Sequence, residues 1–196
     1  MRLRVLLFPL ILALAACEQP PSKELAAAEA ALNQARTDEA EKYAAEQFKE
    51  AEKALEEARR KVQAREYRAA LSSATEAAER ARQASQTVGV AKKLAQSAIQ
   101  VSQVEVEAAL DEADTIREDA LKARIPEKAF EEVLPRLAAA REELAGLAQQ
   151  VGGADLLATQ QAASDLRKKA TALAEAFREA RSAWEAAHPK GRKPRR

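Results

Sequence analysis

Residues 156–187 read LLATQQAASDLRKKATALAEAFREARSAWEAA, and Leu156, Thr159, Ala163, Leu166, Ala170, Leu173, Phe177, Ala180, Trp184 and Ala187 follow one another in alternating steps of three and four. A helix with 3.6 residues per turn gathers all ten on one side. A seam held that long belongs to a coiled coil or a bundle helix. It predicts the fold class: all-α, an elongated Ala-rich helical bundle, coiled-coil-like, with long antiparallel helices.

Working upstream, Gly152-Gly153 reads as the turn of a helical hairpin over 126–188, whose first arm runs to about Gln150 with Pro135 as a kink or restart. Ile125-Pro126 marks a boundary, because the residue before proline is pushed out of the helical region. The region 23–123 carries helices over about 23–43, 46–63 and 67–123. Leu25, Ala28, Leu32 and Ala35 stripe the first, with Ser22 as its expected N-cap. Phe48, Ala51, Leu55, Ala58 and Val62 stripe the second, while Glu56 to Arg60 and Glu57 to Lys61 pair outside. The third runs through Tyr67, Leu71, Ala74, Ala78, Ala81, Ser85 and Val88, loses its pattern after Gly89, and regains it at Ala109, Ala113, Ile116, Ala120 and Ala123. Glycine costs a helix only about 1 kcal/mol, so one helix of about 85 Å is expected, with two helices as the alternative. His188-Pro189 ends the last helix, and 189–196 is read as a basic disordered tail.

A shift of 82 residues sets Tyr43 on Ile125, Phe48 on Phe130, Ala51 on Val133, Leu55 on Leu137, Ala58 on Ala140, Arg59 on Arg141 and Val62 on Leu144. Two copies of a three-helix unit would fit the length. Heptad helices slide into register without common descent, and Pro135 falls where Lys53 sits mid-helix, so duplication and coincidence both stand.

Alanine carries most of the 47% hydrophobic content and aromatics are 4%, which predicts a thin core. Seven of the 32 basic residues lie at the ends: Arg2 and Arg4, then Lys190, Arg192, Lys193, Arg195 and Arg196. The remaining 25 face 31 acidic residues, so the body carries about −6. A nucleic-acid role wants basic charge and aromatics on one face; the body offers the reverse. The tail suits anionic lipid head groups, lipopolysaccharide phosphates or peptidoglycan carboxylates, each basic residue contributing about 1 kcal/mol near a charged surface, with a solubilising end that has no partner as the alternative.

At the other end, Arg2 and Arg4 precede an apolar run from Val5 to Ala16, broken only by Pro9. Twelve apolar residues are too few to span a bilayer, which takes about 20, so residues 1–16 read as a signal peptide. Leu14-Ala15-Ala16-Cys17 resembles the lipobox of bacterial lipoproteins. Cys17 is the only cysteine, with no disulfide partner to explain it. The resemblance implies cleavage before Cys17, acyl chains on it, and residues 17–22 as lipidated cysteine and spacer. A secreted, unlipidated product is the alternative. Glu18 in place of aspartate implies the outer membrane, facing the periplasm, under the sorting rule of enteric lipoproteins.

Residues from about Leu25 to Ala84 resemble a family of Ala-rich helical envelope lipoproteins with a domain of unknown function. Tyr43 closing the first helix, Phe48 opening the second, the Ala51, Leu55, Ala58 seam, and Tyr67 before Ala70 and Ala74 carry the likeness. Relatives commonly place proline after the first tyrosine and glycine before the second; Ala45 and Arg65 or Glu66 stand here. Blunter turns are expected from this, even continuity of the first two helices. The family implies architecture and compartment, without a reaction.

Enzyme chemistry finds no material. His188 is the only histidine, which leaves no catalytic triad and no two-histidine zinc site, and Gly152-Gly153 lacks the lysine and hydroxyl of a phosphate loop. No catalytic residue, metal or cofactor is expected. Asp111, Glu112, Asp114, Glu118 and Asp119 read as a solvated face before a cation site, and Trp184 as core before partner anchor. The expectation is a non-enzymatic structural or interaction lipoprotein, holding an envelope protein, peptidoglycan, anionic lipid or a second copy of itself. A periplasmic chaperone-like or substrate-holding module is the alternative.

Overall fold

Most of the helical spacing becomes helix in the computed structural model, which describes residues 19–150 and 155–189. The elements are α1 (Ser22–Thr37), α2 (Ala40–Tyr43), α3 (Ala45–Gln63), α4 (Tyr67–Lys122), a 3-10 turn (Glu127–Phe130), α5 (Leu134–Gln150) and α6 (Leu156–Ala187). No strand occurs among the described residues, so the protein is all-α. The chain divides into two compact units, Met1–Gly89 and Val90–Arg196, and α4 contributes to both.

In the first unit α1, α3 and the start of α4 lie antiparallel in sequence. Cross-helix ion pairs fix their order: Arg59 to Glu29 at 2.7 Å, Arg36 to Glu52 at 3.1 Å, and Arg80 to Glu50 at 2.5 Å. Their common core is Ala28, Leu32, Ala35, Phe48, Ala51, Leu55, Ala77, Ala81, Ala84 and Val88 with neighbouring alanines. Two expectations fail here. Ser22 is the first helical residue and caps nothing; Pro21 holds the cap position, with its carbonyl accepting from the Leu25 N–H at 3.0 Å. Nor do residues 23–43 form one helix. Glu39 adopts φ 70°, Ala44 sits at φ −142°, and the one-turn α2 between them buries Ala40 and Ala44 against the core, so α1 and α3 are separate.

The missing turn glycine does not blunt the α3 to α4 corner. Arg65 takes φ 62° in its place, the Arg65 N–H donates to the Val62 carbonyl and the Glu66 N–H to that of Lys61, which is the Schellman closure of a helix end. Arg124 repeats it at φ 65°, with Ile125 N–H donating to the Ala120 carbonyl and the Ile125 side chain buried.

α4 runs unbroken through Gly89, where an added Cβ would meet nothing within 4 Å. The glycine faces solvent. The inward seam is not interrupted there either: Ala74, Ala81, Val88, Ala95, Ser102, Ala109 and Ile116 recur every seven residues, as do Ala78, Ser85, Lys92, Ile99, Val106, Ala113 and Ala120, and all are buried or half-buried. Leu71, expected on this line, is 40% exposed and Ala70 is buried instead: at 100° per residue the buried Ala70, Ala74, Ala77 and Ala81 centre the inward face about 90° from Leu71. Ala123 lies beyond the helix end, exposed.

In the second unit, α5 returns beside α4 and α6 lies against both. Arg141 pairs with Asp114, Arg178 with Glu112, Arg167 with Glu105 at 2.9 Å, and Lys169 with Glu143 at 2.8 Å. Phe130 and Phe177 stack at 5.4 Å and 20° inside a core that includes Val106, Leu110, Ile125, Val133, Leu137, Leu166 and Leu173. Pro135 is the second residue of α5, a restart where its missing N–H is harmless. Asp155 caps α6, its Oδ1 accepting from the Ala158 N–H at 3.1 Å. The α6 seam buries down to Phe177, adds Ala174, leaves Ala180 and Trp184 half-buried, and exposes Ala187. Gly152-Gly153 lies outside the described residues.

Candidate functional site

Most residues to which the sequence assigns a role lie outside the described chain: Leu14, Ala15, Ala16 and Cys17 at one end, and Lys190, Arg192, Lys193, Arg195 and Arg196 at the other. No helix among the described residues is long and apolar enough to cross a membrane. The acidic run on α4 is described, and two of its members, Glu112 and Asp114, are spent on the bundle. Asp114 pairs with Arg141, Glu112 with Arg178 and Asp119 with Lys122, and no metal-holding group of acids, histidine or cysteine occurs among the described residues.

Among the described residues, three surfaces bear on function. On the first unit, α1 and α3 flank a groove of about 380 Å3 lined by Glu29, Asn33, Arg36, Glu52 and Arg59 over Leu32 and Leu55. Arg36 is its hub. Its Nε donates to Glu41 at 2.8 Å, its Nη2 to Glu52 at 3.1 Å, and the guanidinium lies 5.3 Å over the Phe48 ring. The hydrogen bond it donates to Glu41, then the charge of Glu41 and Glu52, raise its pKa above the ordinary arginine value. A groove whose charges already answer one another offers a ligand little.

On the second unit, Trp184 stands near the end of α6, half-buried, its ring 4.0 Å from that of His188 and nearly parallel. Clefts of about 490 and 650 Å3 lie to either side of it, one toward Arg124 and Ile125, the other toward Ala129, Val133 and Arg136. Trp184 therefore belongs partly to the core and partly to the surface, between the two roles the sequence allowed it.

The third surface is the outer side of α4. Val90, Leu94, Val101 and Val104 are 58%, 66%, 56% and 64% exposed. At 100° per residue they share an arc of about 80°, turned away from Ala95, Ile99, Ser102 and Val106 in the core. This stretch looked irregular in the sequence because two apolar rows overlap in it. Counting each row separately, rather than seeking one period, would have found both.

Residues 23–105 match the family model described as a domain of unknown function (DUF4398). The match covers the first unit from Lys23 onward and the part of α4 that carries Val90, Leu94, Val101 and Val104, under half of the chain. No curated protein and no solved structure matches.

Proposed function

We propose that this protein is a membrane-anchored periplasmic lipoprotein of the outer membrane that works by interaction and not by catalysis, presenting helix faces to another envelope component or to itself. The observation that carries the reading is Leu14-Ala15-Ala16-Cys17, an apolar run ending in the chain's one cysteine. Acyl chains there would hold the helical units at the membrane, each buried methylene contributing about 0.8 kcal/mol. The basic residues from Lys190 to Arg196 would add contact with anionic head groups or peptidoglycan carboxylates.

Expression with radiolabelled palmitate tests the anchor. Label is expected in the full chain and absent from Cys17→Ser; equal labelling of both overturns the assignment. Crosslinking in intact cells, with and without the tail from Pro189, tests the interaction, and a chain that captures nothing in either form sinks it. The exposed row of Val90, Leu94, Val101 and Val104 favours a second reading, a chaperone-like module that holds clients. That reading expects suppression of client aggregation, lost on Leu94→Asp with Val101→Asp.

A further inference from the structure

We propose that the outer row of α4 is a self-association seam, on which a second copy of this chain lies antiparallel about a two-fold axis near residue 99. The inference rests on the interaction reading above and names the partner of one face. Val90, Leu94, Ser97, Val101, Val104 and Ala108 step by four, three, four, three, four, the spacing of a coiled-coil seam on the side of α4 that the bundle leaves open. The row is also its own complement. Turned end for end, Val90 falls opposite Ala108, Leu94 opposite Val104 and Ser97 opposite Val101, which an isologous two-fold contact requires.

The flanks select the partner and its direction. Lys93, Gln100 and Glu107 line one flank at seven-residue intervals, all three exposed. Neither Lys93 nor Glu107 has an ion pair within the chain among the described residues. The other flank is taken: Glu105 is held by Arg167 and Glu112 by Arg178, both reaching from α6. In an antiparallel two-fold pair each flank meets its own copy, so Lys93 reaches the partner's Glu107 twice and Gln100 meets Gln100. A parallel pair would instead oppose Glu107 to Glu112, acid against acid. An anionic membrane surface would likewise meet Glu105 and Glu107 along the row, so charge favours the second copy over lipid.

The test uses the full chain in detergent, carrying Gln100→Cys, Lys93→Cys or Glu107→Cys, with disulfides located by peptide mapping so that any link through Cys17 is separated. Gln100→Cys is expected to link to itself. Lys93→Cys should not, since its two copies would lie about 21 Å apart along the seam, while a mixture of Lys93→Cys and Glu107→Cys should link across. In sedimentation, K93E and E107K should each weaken the dimer about 10-fold or more by opposing like charges, and the mixture of the two, or the double swap, should restore it. Circular dichroism checks that each variant keeps its helix. A monomer at every concentration, self-linking of Lys93→Cys, or charge reversals without effect overturns the seam. A monomer that still captures an envelope component or a client in cells overturns the seam alone and leaves the interaction reading standing. A dimer without lipid on Cys17 keeps the seam and removes the anchor.

Discussion

Ten of the fourteen residues in the clustered core of the first unit are alanine, against four of thirteen in the second, where Phe130, Phe177, Ile125 and several leucines fill the space. Both units run helix, return helix, helix, with arginine-to-carboxylate pairs stitched across them. An alanine core wins little area per residue, about 25 cal/mol for each Å2 removed from water, and depends on many close contacts. A core of large side chains concentrates the same energy in a few places. The first unit should therefore fail by enlargement and the second by truncation.

The largest effect is expected from Phe177→Ala, which removes a fully buried ring stacked on Phe130. A loss of about 3–5 kcal/mol should appear as faster amide exchange across α5 and α6, with α1 and α3 unchanged; uniform loss over both units would break the contrast. Next comes Ala81→Leu, at a position with no exposure in the alanine core. Overpacking should cost about 1–3 kcal/mol in urea unfolding, and a neutral result would mean the first unit has slack the contrast denies.

Smaller gains are expected from Arg65→Gly and Arg124→Gly, one at a corner of each unit, both at positive φ. Relieving the Cβ strain of the left-handed region should stabilise each by about 1 kcal/mol. Equal gains at the two corners would show turn chemistry to be independent of core type. The smallest effect concerns acid. The hydrogen bond from Lys61, then its charge, lowers the Glu57 pKa below its ordinary 4.5, and Asp165 is lowered from 3.8 first by Gln161 and then by Lys168. A depressed carboxylate contributes stability that is full above the unfolded-state value and is lost as pH falls through the folded one. Glu57→Gln and Asp165→Asn should each flatten the stability curve slightly below about pH 4.5 and leave it unchanged at pH 7 in shape.

The contrast also bears on the repeat. The 82-residue shift carries Phe48 to Phe130, Leu55 to Leu137 and Ala58 to Ala140, buried in both units. For the third helices the shift becomes 89, carrying Ala74 to Ala163, Ala81 to Ala170, Ala84 to Leu173 and Val88 to Phe177, also buried in both. The order of helices recurs, while no single offset serves it, and small residues of one unit stand where large ones fill the other.

Legibility in the sequence followed how local each signal is. The α3 seam and the buried part of α6 were readable because a 3.6 period shows within a few turns, and Pro126 marks its boundary by sterics of its own ring. The break at Glu39 was not readable, because glutamate has no preference for φ 70°; packing of Ala40 and Ala44 beneath it compensates the strain. Leu71 and Ala70 traded places because Ala70, Ala77 and Ala84 form a further buried row that centres the inward face away from Leu71, and a seam assigned by spacing alone does not say on which side the core lies. The lipobox-like Leu14-Ala15-Ala16-Cys17 and the basic residues after Pro189 are sequence motifs alone, outside the described residues.

By itself, the sequence determined the helical class and most helix boundaries, since periodicity and proline act within a few neighbours. Only the tertiary structure decided which acids of α4 are spent on Arg141 and Arg178, and which of the two apolar rows between Val90 and Ala108 faces inward. Both rows have helical spacing, so the sequence could not rank them. Burial is settled by partners distant along the chain, here α6 closing on Glu105 and Glu112, and the row they leave outside is the one free to meet another molecule.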